Sequence, residues 1–309
     1  MLDLKRLRIL REVVSRGSFS AAADSLYLSQ SAVSQQVATL EREVGMPLLE
    51  RTRDGTKATA AGRSLVAHAD AAIARLEEAE RELMEIAGLE GGEVRVASFP
   101  SASATLLTMA VREFTSRYPK VRLSADDSEP EDSLPRLRAG EIDLAVVFDY
   151  PAIPTPEDRD LERTLLLTES MYVALPVDHP LADQKRVRIA DLSDEQWLSG
   201  SCPSSCGVMV KQVCRDAGFE PSVGLRTDDY SVMQGFIAAG LGVTLLPDLA
   251  LPTLRDDLVV REALPAAPKR QVWAVTRRTH SHATATMIAA LVKAGEEFAV
   301  KKEVLEAVA

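Results

Sequence analysis

The chain holds 309 residues, 46% of them hydrophobic and 27% charged, with a net charge of −10. That length gives room for two domains, each with a sizeable core, and the composition excludes a disordered or fibrous chain. No apolar run approaches a membrane span, the charged start MLDLKRLRILRE is unlike a secretory leader, and an odd count of three Cys fits a reducing compartment, so a cytoplasmic address is expected.

Charge is unevenly spread. Residues 1–63 carry ten Lys or Arg against seven Asp or Glu, a net of +3, which leaves −13 on the remainder. A mildly basic head on an acidic body is an asymmetry with a bearing on partners, although +3 alone is weak electrostatics.

Leu4, Leu7, Leu10 and Val14 recur at helical spacing, and Gly17 ends the helix they define. Ser18 is a cap for a second helix with Phe19, Ala22, Ala23 and Leu26 inward. From Ser29 a third helix sets Val33, Val37, Leu40 and Val44 inward, with Gly45 and Pro47 as its stop. Its outer face begins with Gln30, Ser31, Ser34 and Gln35 and carries Arg42 further along. PLLERTRDGTKAT then reads as a hairpin turning at Asp54-Gly55, with Arg51, Arg53 and Lys57 along it.

Thr59 caps a long fourth helix over about 60–87. In it Leu65, Ala69, Ala72, Leu76, Ala79, Leu83 and Ile86 alternate by four and three, a narrow heptad seam that calls for a partner helix and hence dimerisation. AGLEGGE breaks the pattern. Beyond it strands and helices alternate: EVRVAS, ATLLTMAVREFTSRYP, VRLSA, SLPRLRAG and IDLAVVF, then RTLLLTES, MYVALPV, QWLSG, VMVKQVCRDAG, SVGLRT, SVMQGFIAAG, VTLLP and QVWAVTR. A closing helix over 280–300 follows. The alternation predicts parallel sheets covered by helices, arranged as two α/β lobes with crossing strands near 161–168 and 262–270.

A tight helix pair whose second member exposes Ser and Gln at its first turns suits the major groove of double-stranded DNA. Gln pairs with an adenine edge in bidentate fashion, Ser serves either base class or phosphate, and Arg51 and Arg53 are suited to phosphate or the adjoining minor groove. The bland alternative is a small helical core with a solvated polar face.

GSFSAAADSLYLSQSAVSQQVATLEREVGMPLLERTRDGTKATAAG resembles the N-terminal winged helix-turn-helix of LysR-type transcriptional regulators. Ser29-Gln30, Ala32-Val33-Ser34, Leu40-Glu41, Gly45, Leu48, Arg51 and Thr59-Ala60-Ala61-Gly62 stand in the motif positions. YPKVRLSADDSEPEDSLPRLRAGEIDLAVV and AGFEPSVGLRTDDYSVMQGFIAAGLGVTLLP extend the likeness over the chain. Ser31 stands where that family often has Pro, Gln35 where Arg is common, and Leu49 where Phe is usual.

The resemblance implies an α+β chain in two parts. A winged helix-turn-helix DNA-binding domain (1–59) and a linker and dimerisation helix (60–91) precede an effector-binding domain (92–309) of the two-lobed, periplasmic-binding-protein-like kind. Lobe 1 is expected over about 92–163 and 269–309, and lobe 2 over about 164–268. Promoter DNA, a small-molecule effector and a homodimer that pairs into a homotetramer are the implied partners, with no membrane among them. DNA-binding residues are then Ser29, Gln30, Ser31, Ser34, Gln35, Arg42, Arg51, Arg53 and Lys57.

Two-lobed α/β binders hold ligands at strand C-termini and helix N-termini. Ser98, Ser101 and Ser103, then Ser199, Ser201 and Cys202, and Thr227 occupy such places, which line the effector cleft in the resembled family; ordinary helix capping is the competing reading. A hydroxyl-lined cleft of this type suits a small anion. Cys202, Cys206 and Cys214 raise a thiol-based redox sensor as an alternative, with a small-molecule binding protein as the other. No His lies near these Cys in sequence, so no metal site is expected, and with no G-x-S-x-G, H-E-x-x-H, P-loop or G-x-G-x-x-G the chain reads as neither enzyme nor cofactor binder.

Overall fold

The computed structural model describes residues 2–52, 55–86, 92–151, 153, 158, 160–201 and 204–308. The expected sites Arg53 and Cys202 lie outside these, as do the side chains of Arg51, Leu83 and Ile86. Two units make up the chain: residues 1–89 together with 138–141, and residues 90–137 together with 142–309.

In the first unit, α1 (Leu4–Arg16) starts at Asp3, whose carboxylate accepts from the N–H groups of Lys5 and Arg6. Gly17 ends it in the left-handed conformation at φ 64°. α2 (Phe19–Ser25) is capped by Ser18, and α3 (Gln30–Val44) by Ser29, with Gly45 at its end. Ile9, Val13, Ala22, Ala23, Val33 and Val37 form one buried patch, where the small alanines allow close helix approach. Leu7, Leu10, Leu40, Leu48 and Ala69 form a second.

β1 (Leu49–Thr52) pairs antiparallel with β2 (Gly55–Ala58), with Gly55 opposite Thr52 as a strand residue rather than the turn residue expected. The Glu41 carboxylate accepts from the N–H groups of Leu48 and Leu49 and so fixes the start of this wing. Thr59 caps α4 (Ala60–Ile86): its hydroxyl donates to the Pro47 carbonyl at 2.9 Å and accepts from the Gly62 N–H at 3.0 Å. Gly62 is required by contact, since a Cβ there would lie 1.9 Å from the Leu48 carbonyl oxygen. At its 27 residues α4 is about 40 Å long. The heptad seam divides. Leu65 and Ala69 pack into the head's own core, whereas Ala72, Leu76 and Ala79 are exposed.

The second unit runs β3 (Glu93–Ser98), α5 (Pro100–Ala102), a π-helical turn Ser103–Leu107, α6 (Thr108–Arg117), β4 (Arg122–Asp127), α7 (Pro130–Arg138), β5 (Leu144–Asp149) and β6 (Leu161–Glu169). It continues with β7 (Met171–Pro176), β8 (Arg186–Arg188), β9 (Gln196–Ser199), α8 (Ser205–Asp216), β10 (Ser222–Arg226) and α9 (Tyr230–Ala238). β11 (Thr244–Pro247), β12 (Leu258–Leu264), β13 (Arg270–Arg277) and α10 (His282–Val308) complete it.

One sheet has the order β4-β3-β5-β13-β6 and another β11-β7-β12-β8, with β9 and β10 as a separate pair. These sheets are mixed rather than parallel. β3 is parallel to β4 and β5, but β13 runs antiparallel to β5 and β6, and β7 antiparallel to β11 and β12. The chain returns from the second sheet as β13 and enters the first from the opposite end, which reverses its direction. The change of sheet falls at Ser170, after all of β6, and again between Leu264 and Arg270. The stretch 262–270 is therefore the end of β12, a connection and the first residue of β13, not one crossing strand. The π-helical turn, α6 and α10 cover the first sheet with Leu106, Phe114, Met287 and Leu291 on Val94, Val146 and Val272. Met209, Val210 and Val213 of α8 bury Trp197.

Candidate nucleic-acid interface and ligand cleft

The Ser29 hydroxyl accepts from the Ala32 N–H at 3.2 Å and lies 3.0 Å from the Ser31 hydroxyl, which orders the first turn of α3. Gln30, Ser31, Ser34 and Gln35 are exposed, as is Arg42 one face further on, its guanidinium 3.4 Å from the Thr39 hydroxyl. Gln36 turns inward and accepts from Arg6, which also binds Glu43. The ridge from Ser29 to Gln35 is thus open within its unit, and its base is braced by α1. Lys57 is exposed on β2, and Arg51 stands in β1 opposite Thr56.

In the second unit, the C-terminal ends of parallel β3, β4 and β5 meet the starts of α8 and α9. Phe99, Ser101, Glu129, Phe148 and Arg270 face Cys206, Asp228, Tyr230 and Met233 across a space of about 10 Å³, enough for roughly one water. Arg270 dominates this cleft and is fully buried. Its Nε donates to Glu169 Oε1 at 2.7 Å and its Nη2 to the Ser101 hydroxyl at 3.2 Å. The guanidinium carbon lies 4.9 Å from the Phe99 ring centre, 4.8 Å from Phe148 and 5.8 Å from Tyr230. Glu169 Oε2 accepts from the Leu249 N–H at 2.8 Å, so both carboxylate oxygens are engaged. Burial disfavours the Arg270 charge, but Glu169, Tyr230 and Tyr150 together outweigh it and hold the guanidinium above its ordinary pKa.

Carboxylates stand on both sides of this cleft. Burial, with Asp228 and Glu131 nearby, pushes the Glu129 carboxyl up to about 8. Asp228 accepts from the Ser201 N–H at 2.9 Å, and Glu131 from the N–H and hydroxyl of Ser205.

Of the expected effector residues, Ser101 alone among those described lines the cleft. Ser98 is buried with its hydroxyl 3.4 Å from the Phe99 carbonyl, and Ser103 donates to the Ser98 carbonyl. Ser199 is buried with no hydrogen-bond partner for its hydroxyl, and Ser201 is exposed. Thr227 accepts from the Asp229 N–H. Ser98, Ser103 and Thr227 thus bond the backbone close to them in sequence. Sequence reasoning missed Arg270, Glu129, Asp228 and Tyr230. Arg270 gave one signal, a cation at the first position of a strand.

Cys206 and Cys214 are buried free thiols on one helix, eight residues and therefore about 12 Å apart. That separation is far beyond disulfide reach. Cys206 Sγ lies 3.6 Å from the Tyr230 hydroxyl, and burial pushes its thiol up; burial and Glu220 push Cys214 up to about 12. Neither is a ready thiolate. Among the described residues no group of His, Cys, Asp and Glu is arranged to hold a metal, and no helix is long and apolar enough to cross a membrane.

Residues 4–63 match the family described as "Bacterial regulatory helix-turn-helix protein, lysR family", and residues 87–296 match "LysR substrate binding domain". The chain is 32% identical to the transcriptional dual regulator GltC of Bacillus subtilis over 80% of its own length and 81% of that protein's. It is 28% identical to the DNA-binding transcriptional dual regulator OxyR of Escherichia coli, over 89% of this chain and 90% of that one. Its fold is similar to full-length CbnR solved with its target DNA, at a TM-score of 0.60 and 21% identity, covering 95% of this chain and 100% of that one. With both ends matched and relatives along most of its length, the chain belongs to the LysR family of bacterial helix-turn-helix regulators.

Proposed function

We propose that this chain is a ligand-responsive transcriptional regulator, which binds promoter DNA through the exposed ridge Ser29–Gln35 and takes a small-molecule effector between its two lobes. The carrying observation is that ridge: six consecutive positions at the start of α3 supply four uncharged hydrogen-bonding side chains open to solvent, on a helix whose opposite face is packed. Arg42, Arg51, Arg53 and Lys57 serve the phosphates on either side. Two copies join through the exposed part of the α4 seam, at Ala72, Leu76 and Ala79, and dimers pair into a tetramer. The heads then meet half-sites about 34 Å apart, or a multiple of it, on one DNA face. An effector that favours one lobe arrangement over another shifts head spacing and with it the bending of the promoter. The protein works in the cytoplasm and carries out no chemistry of its own.

A gel shift with genomic fragments tests this reading. Gln30→Ala combined with Ser34→Ala is expected to lose retention with its circular dichroism unchanged; retention equal to wild type would count against the ridge. Redox sensing is the second reading, favoured by the OxyR relative. It would use Cys202, Cys206 and Cys214, of which Cys206 and Cys214 are buried, and thiol alkylation of the native protein with mass mapping decides between the two readings.

A further inference from the structure

Tyr27, between α2 and α3, has φ 54°, and among the described residues it is the only non-glycine in the left-handed region. Such turns commonly use glycine, which takes this φ without strain. The tyrosine is also 97% exposed, so its ring contributes nothing to the head's core. Main-chain bonds close the turn without the Tyr27 ring: the Tyr27 N–H donates to the Asp24 carbonyl and the Leu28 N–H to the Ala23 carbonyl. A strained, solvent-facing aromatic that serves neither turn nor core points to something outside the chain. Its place specifies what. Tyr27 stands two residues ahead of Ser29, at the end of α3 that carries Gln30, Ser31 and Ser34. When that end enters a major groove, the residues leading into it meet the phosphates of the groove edge, where tyrosine hydroxyls are common donors.

We infer that Tyr27 is a DNA-backbone contact, its hydroxyl donating to a phosphate oxygen beside the start of α3. The inference rests on the DNA-binding reading above. A neutral phosphate contact carries no sequence preference and releases no counterion. Its loss therefore weakens all duplexes alike and leaves the salt dependence unchanged.

The test uses the full chain with two probes: a duplex selected by the wild-type protein from a random library, and an unselected duplex of equal length. Tyr27→Gly is expected to weaken binding to both by a similar factor, about tenfold, with unaltered salt slope, unaltered oligomeric state and a thermal midpoint equal to wild type or higher. Tyr27→Phe keeps the ring and the backbone preference, and is expected to share most of that loss. Equal affinity in both variants overturns the inference, as does a loss confined to the selected duplex, a changed oligomeric state, or a lowered midpoint in Tyr27→Gly together with full binding by Tyr27→Phe. If wild type binds neither duplex, the DNA-binding reading itself has failed, a result separate from these.

Discussion

Glu131 accepts two hydrogen bonds from Ser205, one from its backbone N–H at 2.9 Å and one from its hydroxyl at 3.1 Å, and so joins the start of α7 to the start of α8. A carboxylate here meets one of the N–H groups that a helix start leaves without an internal partner.

Glu131→Ala is expected to lower the stability of the effector-binding unit by about 0.5–1.5 kcal/mol, at the low end because the contact is exposed. Hydrogen exchange at the Ser205 amide should quicken with it. An unchanged exchange rate there would mean the contact does not persist in solution.

Arg270 and Glu169 are both fully buried, so removing one partner strands the other's charge. Arg270→Ala is expected to destabilise the unit by about 3–5 kcal/mol in urea denaturation, whereas Arg270→Met with Glu169→Leu recovers most of that loss. A single-variant loss below about 1 kcal/mol would contradict the buried pair.

Glu129 imposes a pH dependence of defined sign. Its folded value of about 8 lies above the ordinary 4.5, so between these values the folded state holds a proton that the unfolded state has released. Stability then falls as pH rises through that window, by at most about 1.4 kcal/mol per pH unit, and levels off above it. Glu129→Gln should flatten this slope and be more stable than wild type near pH 8; parallel curves for the two proteins would refute the assignment.

Gly62→Ala is expected to destabilise the head by about 1–3 kcal/mol, since the new methyl meets the Leu48 carbonyl and forces α4 away from the wing. Denaturation of the head, followed by exchange at the Gly62 amide, checks both the size and the place of the effect.

The head was legible in the sequence because its signals are local. Ser18 and Thr59 cap the helices that the sequence expects them to cap, Ser29 caps the third, and Gly17 and Gly45 end theirs. Contacts explain several motif residues too: Glu41 holds the wing, Thr59 ties it to α4, and Gly62 lets the two touch. The cleft was not legible. Arg270 pairs with Glu169 across 101 residues, and no local pattern records a partner at that distance. Hydroxyl density does not separate the two roles for the same reason, because Ser98 and Thr227 look alike in sequence whether they face a ligand or the chain's own backbone. Strand direction is likewise absent from an apolar run, so β13 read as one more parallel strand.

Glu169 is the last residue of β6 and Arg270 the first of β13, and the two are direct cross-strand neighbours. Each flanks one of the two places where the chain passes between sheets, so the ion pair rivets both passages at a common point. Any swing of one lobe against the other would therefore have to move both passages together.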